Sequence, residues 1–382
     1  MEKNGKILII VKVWNEKRGG KIMQIRLVIG VRDARYLGNL SAYLEKSHMD
    51  KLEIVTFSSP ELFKEYAKKS PADVILVEEQ FGIDAELLRG LGRAAYLCDG
   101  VPAAEKNGIR AIAKYKKPDL IYKDILDLYA EGGSRHGFRM GGGGSGKICL
   151  VTGLSGGTGA STFAAALAKK YALQGKRVLY LNLEPAGMST DFFEGSGTYH
   201  FEDVIFALKS QRADIRLKME SAARVDISGV NFFAPCSNPM YMLELNHEDY
   251  LKIMDTLSGE TGYDHVIVDM NFKLTSEFME ILSRANQILL VQDGGETSNS
   301  KFLRAMEAVH IMEEQNHVNV TAGMKLLYNR FSSSKSSSEI PGLSIPVIGK
   351  LPPIKHARVH EIMDYMLTRQ DIFEALGAGE EV

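Results

Sequence analysis

Residues 150–170 read LVTGLSGGTGASTFAAALAKK. The stretch opens on an apolar run, turns tightly at Gly156, Gly157 and Gly159, presents hydroxyls at Ser161 and Thr162, and continues as an alanine-rich helix. In a strand, glycine turn and helix of this kind, successive backbone N–H groups converge on an anion and the helix N-terminus adds its dipole. Most phosphate-binding loops of this shape carry Lys immediately before the hydroxyl, whereas this chain has Ala160. The main chain of Gly156, Gly157, Thr158, Gly159, Ala160 and Ser161 can still form the cradle, and Ser161 or Thr162 can offer a hydroxyl to magnesium. A glycine turn kept only for close strand–helix packing is the alternative.

Outward from the loop, apolar runs alternate with helical stretches. KICLVT, STFAAALAKKYALQ and RVLYLNLE make one βαβ unit, and GVNFFAP, DHVIVDM, QILLVQD, AGMKLLYN and PVIGKL are five further strand candidates. A doubly wound parallel α/β sheet follows, with its ligand site at the carboxyl ends of the strands. Two residues stand at such ends. Asp269 closes YDHVIVDMN, where a carboxylate can order magnesium, and Asn329, followed by Arg330, closes LLYNRF, where an amide can offer a donor and an acceptor to a purine edge.

Upstream, EGGSRHGFRMGGGGSGK (131–147) is too glycine-rich to order itself and reads as a flexible linker. Its Gly141 to Lys147 match the spacing G-x-x-x-x-G-K, but a strand follows where a helix is needed and Ile148 replaces the metal-binding hydroxyl, so the linker reading prevails. Before it, IRLVIGV, KLEIVTF, DVILVEE and AAYLCDG alternate with three helical stretches, giving a smaller parallel α/β sheet, for which the receiver resemblance described below implies a flavodoxin-like type. The expected organisation is an extension over 1–22, a first domain over 23–130, a linker over 131–146 and a second domain over 147–382.

Composition narrows the function. The 382 residues carry a net charge of -2, with 45% hydrophobic and 25% charged residues, so no bulk basicity attracts nucleic acid. The richest basic stretch, KSQRADIRLK, is interrupted by Asp214 and reads as a solvated helix face. Cys98, Cys149 and Cys236 are too scattered for a disulfide framework or a zinc site, and the nine histidines form no nucleophile–base pattern. No apolar run approaches the roughly 20 residues of a spanning helix, and the ending RQDIFEALGAGEEV lacks a basic amphipathic face. A cytoplasmic protein without membrane insertion is expected.

GLSGGTGASTFAAALAKKYALQGKRVLYLNLEPAGMSTDFFEG resembles the deviant Walker A ATPases of the MinD/ParA family, and the resemblance runs from about Lys147 to the end. Its two lysine positions fall on Ser155 and Ala160, its magnesium hydroxyl on Ser161, its paired aspartates on Asn182 and Glu184, a later aspartate on Asp191, the Walker B carboxylate on Asp269 and the adenine-binding Asn on Asn329. The resemblance implies ATP and magnesium as ligands, Glu184 and Asp191 as candidate catalytic residues, and a nucleotide-dependent homodimer. With both lysines missing, slow or absent hydrolysis is expected.

The first domain is similar to a response-regulator receiver, with PADVILVEEQ on the third strand and YKKPDLIYKDILDLY on the Lys-Pro turn and final helix. Glu78 stands at the phosphoacceptor position, the acidic pair after the first strand is absent apart from a later Asp33, and Lys117 holds the receiver lysine's place by position. A docking or dimerising module without aspartyl phosphorylation is expected. An inactive receiver, a linker and a lysine-poor ATPase resemble the architecture of the TadZ/CpaE family. That resemblance implies a polar localisation factor that recruits type IVb (Flp/Tad) pilus assembly and secretion proteins; a MinD/ParA-like regulator of division, flagella or DNA partitioning is the alternative.

Overall fold

The computed structural model describes residues 24–131, 146–211, 213–259, 261–332 and 336–377. The extension expected over 1–22 and almost all of the expected linker lie outside the described residues. The chain divides into two compact units, Met1–Gly141 with Ser210–Ser221, and Gly142–Lys209 with Ala222–Val382.

The first unit contains β1 (Ile25–Gly30), α1 (Ala34–His48), β2 (Leu52–Phe57), α2 (Pro60–Lys69), β3 (Val74–Glu78), α3 (Ala85–Leu91), β4 (Ala94–Cys98), β5 (Glu105–Lys106), β6 (Ile109–Ala113) and α4 (Pro118–Ala130). The sheet order is β2-β1-β3-β4-β6-β5, parallel except for the β5–β6 hairpin. Side chains announce the helix starts: Asp33 caps α1, Ser59 caps α2 ahead of Pro60, and Asp84 caps α3. Asp33 is therefore a helix cap. The sequence reading omitted β6, although its hairpin turns on Asn107 and Gly108, both at positive φ, a dipeptide that favours such turns.

Further along the chain come β7 (Lys147–Thr152), α5 (Ala160–Leu173), β8 (Val178–Asn182), α6 (Phe201–Ser210), α7 (Ile215–Ala222), β9 (Arg224–Val225), β10 (Asn231–Phe232), α8 (His247–Ser258), β11 (His265–Asp269), α9 (Ser276–Ser283), β12 (Gln287–Gln292), α10 (Glu296–Asn316), β13 (Met324–Tyr328), β14 (Val347–Lys350), α11 (Val359–Leu367) and α12 (Gln370–Ala375), all in the second unit except the last residue of α6 and α7 up to Ser221, which belong to the first. The order β14-β13-β12-β7-β11-β8-β10-β9 is parallel except for β9. The chain moves from β7 to β8 on one side and later to β12, β13 and β14 on the other, so β7 sits at the reversal point where a ligand crevice forms.

One core joins β7, β8, β11, β12 and β13 to α5, α11 and α12. Four buried alanines, Ala164, Ala165, Ala166 and Ala168, let α5 lie close to the sheet, and Phe163 stacks on Phe373 at 5.8 Å. The ending RQDIFEALGAGEEV thus contributes the buried side chains Ile372 and Phe373.

Residues 209–218 do not form a solvated face throughout. Leu217 is buried in the first unit's core, and Lys218 Nζ lies 2.7 Å from Asp127 Oδ1 on α4. Asp127 is itself buried and is also paired with Arg110 at 2.6 Å, so a carboxylate out of water recruits the cation inward. The sequence reading kept everything after the linker in one domain; the burial of Leu217 and Lys218 groups Ser210–Ser221 with the first unit.

Candidate functional site

The loop between β7 and α5 is closed on its inner side and open on its outer side. Gly157 and Gly159 have φ of 76° and 86°, a region that favours glycine. A Cβ on Gly153 would lie 2.5 Å from Thr158 Oγ1, and one on Gly159 would lie 2.4 Å from Asn329 Nδ2, whereas a Cβ on Gly156 or Gly157 would meet nothing within 4 Å. Asn329, buried at the end of β13, donates to Thr158 O at 2.7 Å. Its amide nitrogen therefore holds the loop from behind.

Beside Asn329 lies a cleft of about 250 Å³ lined by Gly159, Thr162, Arg330, Pro352, Ile354 and Tyr365 among others. Arg330 is exposed, with φ of 56°. Gly159 of the loop, Thr162, Asn329 and Arg330 thus meet at one cleft.

On the other side of α5, Ser161 Oγ donates to Asp269 Oδ1 at 3.2 Å. The second oxygen, Oδ2, accepts from Tyr180 OH at 2.7 Å and from Asn182 Nδ2 at 3.1 Å. The register explains the meeting, since Asn182 and Asp269 are partners across β8 and β11, and Tyr180 is two residues back on the same face of β8. Burial, together with the charge of Glu184, pushes the Asp269 carboxyl up to about 7, against the lowering effect of the bonds from Tyr180 and Ser161. The Glu184 carboxyl is also raised by burial.

Glu184 borders a second, mostly apolar cleft of about 400 Å³ that includes Asn182, Pro185, Met188, Cys236 and Met242. Asp191, the other candidate catalytic residue, is exposed in the one-turn helix Ser189–Asp191 and is not among the side chains that bond to Asp269. Ser155, at the first missing lysine, accepts from Ser298 Oγ of α10 at 3.3 Å, and Ala160, at the second, opens α5.

The site fits a magnesium nucleotide in its donor set. Ser161 and Asp269 supply hard oxygen ligands of the kind magnesium takes, and the open side of Gly156 and Gly157 leaves backbone room for phosphate. Among the described residues no cluster of three His, Cys, Asp or Glu side chains forms a metal site, so most of the coordination would come from phosphate and water. No helix among them is long and apolar enough to cross a membrane.

In the first unit, Glu78 at the end of β3 is bonded by Lys114 Nζ at 2.5 Å and by Arg32 N at 3.0 Å. The lysine facing the phosphoacceptor position is thus Lys114, at the end of β6. Lys117 is exposed at the start of α4, which corrects the positional reading: the Lys-Pro dipeptide on which it rested lies in the turn into α4, three residues beyond the lysine that meets Glu78.

Residues 23–130 match the family described as "TadZ-like, receiver domain". None of the curated proteins matches the chain. Among solved structures, the chain is similar to a ParA family ATPase from Chlorobium tepidum TLS, with 16% identity over 61% of this chain and 98% of the other and a TM-score of 0.49. It is similar to the cell division ATPase MinD of Pyrococcus furiosus at 15% identity, over 61% and 98% of the two chains, with a TM-score of 0.46. The ATP complex of Cyanothece McdA gives 17% identity, 63% and 100% coverage and a TM-score of 0.47. The family match and the observed sheet order together make residues 23–130 a TadZ-like receiver domain.

Proposed function

We propose that this chain binds ATP with magnesium in its second unit, hydrolyses it slowly or not at all, and uses the bound nucleotide to form a homodimer that recruits pilus assembly and secretion proteins at the cell pole. The observation that carries the nucleotide part is the loop itself: inner side packed on Asn329, outer side open at Gly156 and Gly157, with the Ser161–Asp269 pair beside it.

The backbone N–H groups of residues 156–161 receive the phosphates, and the cleft lined by Thr162, Asn329 and Arg330 receives the base. Ser161 and Asp269 hold the metal, which neutralises phosphate charge when bound. Ser155 and Ala160 add no positive charge, so the transition state loses a stabilisation of a few kcal/mol, about 100-fold or more in rate. Glu184 is the nearest candidate to orient a water, with Asp191 as the alternative. A nucleotide that binds the dimer more tightly than the monomer shifts the equilibrium by that difference in affinity.

The TadZ-like receiver match supports the pilus part of the reading. A fluorescent fusion in the native cell tests it: polar foci that are lost with the Asp269→Asn variant support it, and diffuse fluorescence in the unmodified protein contradicts it.

A further inference from the structure

We propose that Tyr180 is a positioning residue for the magnesium nucleotide: its hydroxyl fixes the rotation of the Asp269 carboxylate and keeps Oδ1 turned to Ser161. The role rests on the ATP-binding reading above. Tyr180 is fully buried, and its neighbours in β8, Val178, Leu179 and Leu181, are aliphatic. A phenol in such a strand is costly unless its hydroxyl is bonded, and here it donates to Asp269 Oδ2 at 2.7 Å and accepts from Asn182 Nδ2 at 3.3 Å.

The ring is held edge-on by Phe193 at 5.2 Å and Phe192 at 6.0 Å, so packing sets the position of the hydroxyl. A carboxylate otherwise turns broadly about its terminal torsion. Two donors on Oδ2, from Tyr180 and Asn182, oppose that rotation and leave Oδ1 to the Ser161 hydroxyl. Magnesium demands near-octahedral oxygen geometry, and a partner that orients a ligand typically contributes about 10- to 100-fold to affinity. With Ser155 and Ala160 uncharged, those two loop positions offer the phosphates no cation, and the orientation of the metal's carboxylate matters correspondingly more.

Tyr180→Phe removes the hydroxyl and keeps the ring. Calorimetric titration of the full chain with ATP, once with magnesium and once with EDTA, reads the role. The expected result is an affinity about 10-fold weaker with magnesium and unchanged with EDTA, and no further loss when Tyr180→Phe is added to Asp269→Asn. Asn182→Leu, which removes the other donor to the same oxygen, should reproduce the magnesium-restricted loss and serves if Tyr180→Phe does not fold. Unchanged affinity with magnesium, or an equal loss with and without it, overturns the role. An unmodified chain that takes up no ATP in either condition refutes the nucleotide reading on which the role depends.

Discussion

Lys114 Nζ lies 2.5 Å from Glu78 Oε1, and the lysine is 3% exposed. Burial alone would lower the lysine's pKa, but the bond and charge of Glu78 outweigh it and leave the pKa raised. A carboxylate longer than aspartate thus reaches the lysine directly, and Arg32 N takes its other oxygen. Removing the lysine leaves the partly buried Glu78 carboxylate without its cation, so Lys114→Met should lower stability by about 1–3 kcal/mol, and Lys114→Met with Glu78→Leu should be less destabilised. Urea unfolding of the three proteins checks this; a Lys114→Met chain as stable as the parent contradicts it. Acetyl phosphate should label no residue of the first unit.

Two glycines of the same loop should respond differently to one methyl group. Gly159→Ala places a side chain at φ of 86° and 2.4 Å from Asn329 Nδ2, and should cost about 1–3 kcal/mol. Gly156→Ala meets nothing within 4 Å, so its stability should be nearly unchanged while its methyl group intrudes on the open face and weakens nucleotide binding. Melting temperatures and titrations of both variants separate loop packing from phosphate access.

Much of this site is legible in the sequence because glycine turns, strand-end carboxylates and hydroxyls have fixed spacings along the chain. The loop, Ser161, Asp269 and Asn329 were singled out as candidates that way, and the larger sheet followed from apolar runs. Tyr180 was not, because its role depends on the register of β8 against β11, and in sequence it is one more bulky residue in a buried strand. Nor was Lys114, since β6 (IRAIA) buries only Ile109 and Ile112 and its hairpin partner is two residues long. The inward turn of Lys218 depends on the distant buried Asp127.

Asp269 gives the apo protein a pH dependence of definite sign. Its folded value of about 7 lies above the ordinary 3.8, so between about pH 4 and 7 the folded chain holds a proton that the unfolded chain has lost. Stability from this group is therefore full below pH 4, falls as pH rises through that window and levels off above pH 7. Asp269→Asn removes the cost: the apo variant should exceed the parent by up to about 4 kcal/mol at pH 8 and lose that advantage toward pH 4. Urea midpoints across pH check this, and a constant difference contradicts it.

The three thiols should be inert in the folded protein. Burial pushes Cys98 to about 11 and both Cys149 and Cys236 to about 12, with Glu79 adding to the first and Glu202 to the last. Since the thiolate is the reactive form, little reaction with a disulfide reagent is expected at pH 8 without denaturant, and three equivalents in urea. Rapid labelling of the folded chain would contradict this.

The most direct test of the whole account is calorimetric titration of the unmodified chain with magnesium ATP, with light scattering before and after loading and an assay for released phosphate. The account predicts saturable binding, a shift from monomer to dimer and turnover about 100-fold or more below that of lysine-bearing ATPases of this type. A chain that binds no nucleotide, or one that hydrolyses ATP as fast as its lysine-bearing counterparts, contradicts it.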